Sequence, residues 1–291
     1  MEREPASARL LWRLVEPVHA VTYFSPEPLS EFRRAGYRGF WMGYFAGRAA
    51  PLGTVGPEVV YALFYNFSFD RVAKALPDAW SFAPPDVAIA VRERGAVAAL
   101  RRQLGELARD PCVAQAGDLL ARAAHSAPAE GRPLYAANRA LSEPVDPVAR
   151  LWHFSTLLRE HRGDGHVASL LSGGVSGRQS HVLQSLATGL PSSVYAVARD
   201  FTPDEWDDVV GELRTAGYAD PSGDLTDAGR TLKNDLEVRT DELAWTAFSA
   251  LSQPDLAALV DALRPIARAV VRAGDIPLDA PMGLNLRELV D

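Results

Sequence analysis

The chain is poor in cysteine, has fewer basic than acidic residues, and lacks any long apolar run. Cys112 is the single cysteine in 291 residues, which excludes an internal disulfide framework and a multi-cysteine zinc site. No window approaches the roughly 18–20 uninterrupted apolar residues of a membrane-spanning helix, so no membrane partner is expected. The charged opening Met1-Glu2-Arg3-Glu4-Pro5 lacks the apolar core of a signal peptide, and the chain is expected to be cytoplasmic. Lys and Arg number 30 against 37 Asp and Glu, a formal charge of −7. Duplex-binding proteins usually show the opposite, a basic footprint. There is no Gly-x-x-x-x-Gly-Lys phosphate loop and no dinucleotide fingerprint. The run Gly173-Gly174-Val175-Ser176-Gly177 is not a Gly-x-Ser-x-Gly nucleophile elbow. The sequence therefore identifies no cofactor and leaves open whether the chain is an enzyme.

What is present is helical periodicity. Leu10, Leu11, Leu14, Val15 and Val18 mark a helix over 7–20. A second helical segment covers 28–50, and Gly53 and Gly56-Pro57 break the pattern before an apolar helix from Glu58 to Phe67. Further helices are expected at 70–76, from Pro84 to about Arg109, and at 111–126. In the second half they fall at about 147–171, 178–188, 191–199, 203–216, 226–248 and 253–273. Thr202-Pro203-Asp204-Glu205 reads as an N-cap, a first-turn proline and an acidic first turn.

The strip 127–146 carries Pro128, Gly131, Pro133 and Pro144 and reads as a linker between residues 1–126 and 147–291. A degenerate repeat relates the two parts. Ala46–Gly56 resembles Val167–Gly177, each ending a helix at Gly-x-x-Gly, and Pro84-Pro85-Asp86 echoes Thr202-Pro203-Asp204. The expected architecture is mainly α, with two tandem winged-helix-like halves and minor β wing hairpins. Chance recurrence of glycine-rich breaks is the competing reading of the repeat.

Residues 201–248 resemble the back half of a MarR-type winged-helix domain. The resemblance rests on Phe201-Thr202-Pro203-Asp204, Leu213-Arg214-Thr215-Ala216-Gly217-Tyr218 and Leu225-Thr226-Asp227-Ala228-Gly229-Arg230. It implies a recognition helix, a wing, and then a dimerisation helix, hence a homodimer that binds DNA. Over most of its length the chain also resembles an actinobacterial helix-turn-helix family. The stretches Gly39–Gly53 and Leu158–His166 carry that likeness. Charge opposes the DNA reading. The candidate recognition helix holds Asp204, Glu205, Asp207, Asp208 and Glu212 against Arg214, whereas phosphate contacts come from Lys and Arg. The first-half counterpart is more basic, with Arg92, Arg94, Arg101 and Arg102, and reads as a solvated helix face.

The densest cluster of ionisable groups is Arg159-Glu160-His161-Arg162-Gly163-Asp164-Gly165-His166, with His153 one turn and more upstream. On one helix, Arg159, Arg162, Gly163 and His166 share a face. Histidines beside carboxylates are the groups that exchange protons near pH 7. The candidate catalytic set is therefore His161 or His166, oriented by Asp164 or Glu160. The candidate ligand-binding set is Trp41, Tyr44, Phe45, Arg48, His153, Arg159 and Arg162, with the arginines anchoring an anionic or carbonyl group. The competing readings are a buried ion-pair network for the first set and an aromatic core for the second. No metal set is assigned; Glu16, His19 and His161 would have to be brought together from both halves. The preferred function is binding, with turnover left open, of a small aromatic or acidic organic molecule of specialised metabolism, on a winged-helix scaffold that no longer binds DNA. The alternative is a MarR-like transcriptional regulator that responds to a small ligand.

Overall fold

Proline and short polar caps set the helix boundaries. The computed structural model describes residues 4–278, 284 and 286–290. Prolines stand in the first turn of α1 (Pro5–Phe24), α2 (Pro26–Arg34), α4 (Pro57–Phe64), α7 (Pro85–Leu104), α8 (Pro111–Ser126), α9 (Pro133–Arg139), α10 (Pro147–Ser172), α13 (Pro203–Thr215) and α15 (Gln253–Arg272). There the missing N–H has no intrahelical partner to lose. The remaining helices are α3 (Gly39–Ala49), α5 (Phe69–Ala73), α6 (Ala79–Phe82), α11 (Gly177–Thr188), α12 (Ser192–Arg199), α14 (Asp227–Trp245) and α16 (Arg287–Val290). Reciprocal capping boxes fix the starts of α11 (Ser176 and Gln179), α13 (Thr202 and Glu205) and α15 (Ser252 and Asp255).

Three apolar clusters hold these helices. The largest joins α1, α7, α8, α10 and α15 through Leu11, Leu14, Leu100, Leu120, Trp152, Phe154, Leu263 and Ile266. A second cluster packs Phe45, Phe64, Phe67 and Tyr37 among smaller aliphatic side chains. A third joins the end of α10 to α11–α14 through Leu170, Leu183, Tyr195, Phe201, Leu213 and Leu236. Helix α10 runs through the middle and packs on α1, α7, α8, α9 and α14.

The helical reading of the sequence holds, but its β component does not. Among the described residues the β structure is a single isolated antiparallel bridge, Ala219 to Leu225. Asp220 closes the turn at this bridge. Its carboxylate accepts hydrogen bonds from Ser222 and Asp224 N–H, and backbone bonds from Asp220 N–H to Asp224 O and from Thr226 N–H to Tyr218 O flank the turn without extending into strands. The tandem winged-helix architecture is likewise not what is seen. In the first half no hairpin follows the helix opened by Pro84-Pro85-Asp86. That helix, α7, runs 20 residues and buries Ala88, Val91, Ala96, Ala99 and Leu100. The segment 28–50 is two helices, because Gly36 at φ +100° ends the first. The strip 127–146 carries α9, with Leu134, Tyr135 and Asn138 buried. The arginines of α7 do not form a free basic face. Arg92 is buried and donates to Gly47 O and Asn138 Oδ1, while Arg94, Arg101 and Arg102 pair with Glu31, Asp146, Glu27 and Asp275.

Helix α10 continues unbroken through Gly163 and Gly165. For Gly165 the reason is a close approach. A Cβ there would sit 2.6 Å from the Arg132 guanidinium, which donates to the carbonyls of His161 and Leu243.

Candidate functional site

A cavity of about 490 Å³ lies between α1, α3, α10, α11, α12 and α14. Its size falls within the range of small-molecule pockets. Phe40, Trp41 and Tyr44 of α3 make an aromatic wall, with Trp41 and Tyr44 edge to face at 5.6 Å. Helix α10 faces them with Arg159, Arg162, Gly163 and His166, one side of the helix at i, i+3, i+4 and i+7. Helix α1 adds Trp12, Glu16 and Tyr23, and α14 adds Lys233, Glu237 and Thr240.

Most charges around this cavity are paired. Arg48 grips Glu160 with two bonds of 3.0 Å, and Arg159 Nη1 donates to Glu160 Oε2 at 3.0 Å. Burial alone would raise the Glu160 pKa, but Arg48 and Arg159 together hold it well below the usual carboxylate range. Arg159 also reaches Glu16 at 3.5 Å. Arg162 donates to Asp241 at 2.7 Å and lies over the Trp12 ring at 4.3 Å. Lys233 and Arg9 pair with Glu237, whose pKa is pulled down to about 2 against the effect of its burial.

Hydrogen bonds fix the tautomers of His166, which lines the cavity, and of His19 on α1. Thr240 donates its hydroxyl to Leu236 O, so His166 Nδ1 must donate to Thr240 Oγ1 at 3.0 Å. His166 Nε2 keeps its lone pair and has no partner among the described residues. Burial and the neighbouring cations push the His166 pKa down to about 4, so the ring is neutral at pH 7. By the same logic Thr156 donates to Trp152 O, His19 Nδ1 donates to Thr156, and Tyr23 OH donates to His19 Nε2 at 3.0 Å.

The residues singled out in the sequence separate into two groups. Trp41, Tyr44, Arg159, Arg162 and His166 line the cavity. Phe45, Arg48, Glu160, His153, His161 and Asp164 do not. Phe45 is core, stacked behind Trp41 at 5.9 Å. His153 is buried edge to face with Phe154, its pKa lowered to about 4 by burial. His161 sits on the far side of α10 against Tyr135, its pKa lowered to about 3 by burial and Arg132. Asp164 accepts the N–H of Tyr135 at 2.9 Å, within the first turn of α9. Among the described residues no carboxylate hydrogen-bonds His161 or His166: Glu160 is committed to arginines, Asp164 to backbone, and His166 to a threonine. Among the described residues no three His, Cys, Asp or Glu side chains are placed to share a metal ion.

Sequence reasoning missed the α11–α12 wall, formed by His181, Gln184, Tyr195, Ala198 and Arg199. These residues sit at ordinary helical spacing in a segment read only as two helices, 178–188 and 191–199. Nothing local in the sequence distinguishes Arg199 from a surface arginine.

Comparison with known proteins adds one decisive finding. The model of a helix-turn-helix family matches residues 8–277. The chain belongs to this helix-turn-helix family. No curated protein and no solved structure matches it. In this helix-turn-helix protein, α12 and α13 are joined by the short turn 200–202, with Asp200 in the left-handed region at φ 60°. The outward face of α13 carries Asp204, Glu205, Asp207, Asp208 and Glu212, all exposed. No described helix is long and apolar enough to cross a membrane.

Proposed function

We propose that this helix-turn-helix protein binds a small aromatic or acidic organic molecule in the cavity between α3, α10 and α12. The observation that carries the reading is the cavity itself, about 490 Å³, aromatic on one wall and cationic on the other. Binding is a better account than acid–base turnover. A general base works best with a pKa near the working pH, and His166 at about 4 is better suited to accepting a hydrogen bond than to holding a proton. Native mass spectrometry of the purified chain, followed by extraction and identification of any bound compound, tests this directly. Alanine at His166 is expected to weaken binding, and alanine at His161 to leave the cavity's affinity unchanged. Equal effects of the two would contradict the assignment.

The second reading, a DNA-binding regulator that responds to the ligand, is favoured by family membership. The exposed carboxylates of α13 oppose it, because DNA affinity comes largely from cationic contacts to phosphate. Fluorescence polarisation with duplex from the chain's own upstream region, at moderate salt, separates the two. The account expects no salt-sensitive binding. Tight binding that weakens steeply with salt would restore α13 as a reading helix.

A further inference from the structure

Arg199 differs from every other cation lining the cavity. Arg159, Arg162 and Lys233 each have a carboxylate within 4 Å. Arg199 has none. Its Nη1 donates to the Ala198 carbonyl at 2.9 Å, and its guanidinium lies over the Phe67 ring at 4.6 Å. Its Nε is sealed from solvent without a hydrogen-bond partner. Burial is the largest influence on its charge and disfavours it, with Tyr44, Arg48, Tyr195 and Arg159 the groups that follow. One turn earlier on α12, the Tyr195 hydroxyl is also buried and unpartnered. Buried donors are nearly always satisfied in folded proteins, yet the α12 wall is left with two donors that no described residue takes up.

The wider charge count agrees. Around the cavity Arg9, Arg48, Arg159, Arg162, Arg199 and Lys233 face Glu16, Glu160, Glu237 and Asp241, and cations outnumber carboxylates.

We propose that Arg199 and Tyr195 form the anchor for the carboxylate of a monoanionic aromatic acid, whose ring body lies against Trp41 and Tyr44. This rests on the reading of the cavity as a ligand site and names the ligand's chemical class. A guanidinium matches a carboxylate's two oxygens in plane, and burial strengthens that bond over its value in water. A bare inorganic anion would leave the aromatic wall uncovered. Of the anchors expected from sequence, Arg48 and Arg159 are already committed to Glu160 and Arg162 to Asp241.

The test uses the full chain, followed by tryptophan fluorescence, since Trp12 and Trp41 line the cavity. The probes are 2-naphthoate, 2-naphthamide, inorganic phosphate and the neutral dye N-phenyl-1-naphthylamine. Wild type is expected to bind naphthoate at least tenfold more tightly than naphthamide, and phosphate not measurably. Arg199→Met is expected to lose at least tenfold in naphthoate affinity and none in dye affinity, while Arg199→Lys loses less. Tyr195→Phe is expected to weaken naphthoate by several-fold. The melting temperature of Arg199→Met should match or exceed wild type, because an uncompensated charge has been removed. Amide binding as tight as acid, or naphthoate affinity unchanged in Arg199→Met, overturns the anchor while dye binding leaves the cavity reading standing. Failure of dye and acid alike overturns both.

Discussion

Glu160 is the residue on which the α10 network turns. It is 1% exposed and compensates both Arg48 and Arg159. Replacing it by Gln leaves Arg48 without a counter-charge and Arg159 with only the more distant Glu16. Breaking a buried pair in this way costs about 3–5 kcal/mol, so Glu160→Gln should show that loss in urea unfolding. Asp164 carries an opposite signature. Burial raises its pKa to about 7 despite the bond from the Tyr135 N–H. A carboxyl with a raised folded pKa holds more protons folded than unfolded over that interval. Its contribution is complete below the unfolded value near 4 and is lost as pH rises through 7. Asp164→Asn should therefore gain stability relative to wild type between pH 4 and 7 in paired unfolding curves. A difference that stays flat across that window would contradict the assignment. The buried histidines slope the other way. His153 and His166, lowered to about 4, lose their contribution as pH falls from about 6.5 through 4. The comparison must therefore be made as a difference between variant and wild type.

At the scale of elements, the Gly-x-x-Gly breaks matter through what they touch. The first residue of α11, Gly177, lies against the Tyr65–Asn66 backbone, and a Cβ would meet Tyr65 O at 2.0 Å. Tyr65 OH donates to Val175 O at 2.7 Å, and His181 Nε2 bonds Asn66 O at 3.0 Å, so the end of α4 docks on the start of α11. Gly177→Ala has backbone to displace and should destabilise by about 1–3 kcal/mol. Gly163→Ala meets only ordinary contacts, at 3.6 and 3.7 Å, and should be neutral or stabilising by up to about 1 kcal/mol. Thermal melts of the two single variants check the contrast, and a loss at Gly163 equal to that at Gly177 would contradict it. The elements themselves were largely legible. Helix α8 lies where the prolines and apolar spacing placed it, and α10 ends one residue later than expected. The wing was misread because a Gly/Pro/Asp turn announces a reversal of the chain but not its type. The turn that the Asp220 side chain closes is flanked by two backbone bonds, which make a bridge and not a wing.

For the molecule as a whole, periodicity shows which face of a helix is buried but not which helix covers it. The pairing of Arg48 with Glu160, 112 residues apart, has no local trace. The same limit explains the candidate site. Half of it was legible, because Arg159, Arg162, Gly163 and His166 share a face by spacing alone and Trp41 and Tyr44 stand in an aromatic run. The α12 wall was not, because only the folded chain brings Tyr195 and Arg199 opposite α3. The outcome is a helix-turn-helix family member whose exposed α13 is acidic and whose interior holds an aromatic, cationic cavity. That cavity is the central claim. Its most direct test is a fluorescence titration of the full chain with N-phenyl-1-naphthylamine, beside an Ala198→Trp variant that fills the α12 wall. The account expects one saturable dye site per chain in wild type and its loss in a variant that melts as wild type does. No saturable site in wild type, or undiminished binding to Ala198→Trp, would contradict it.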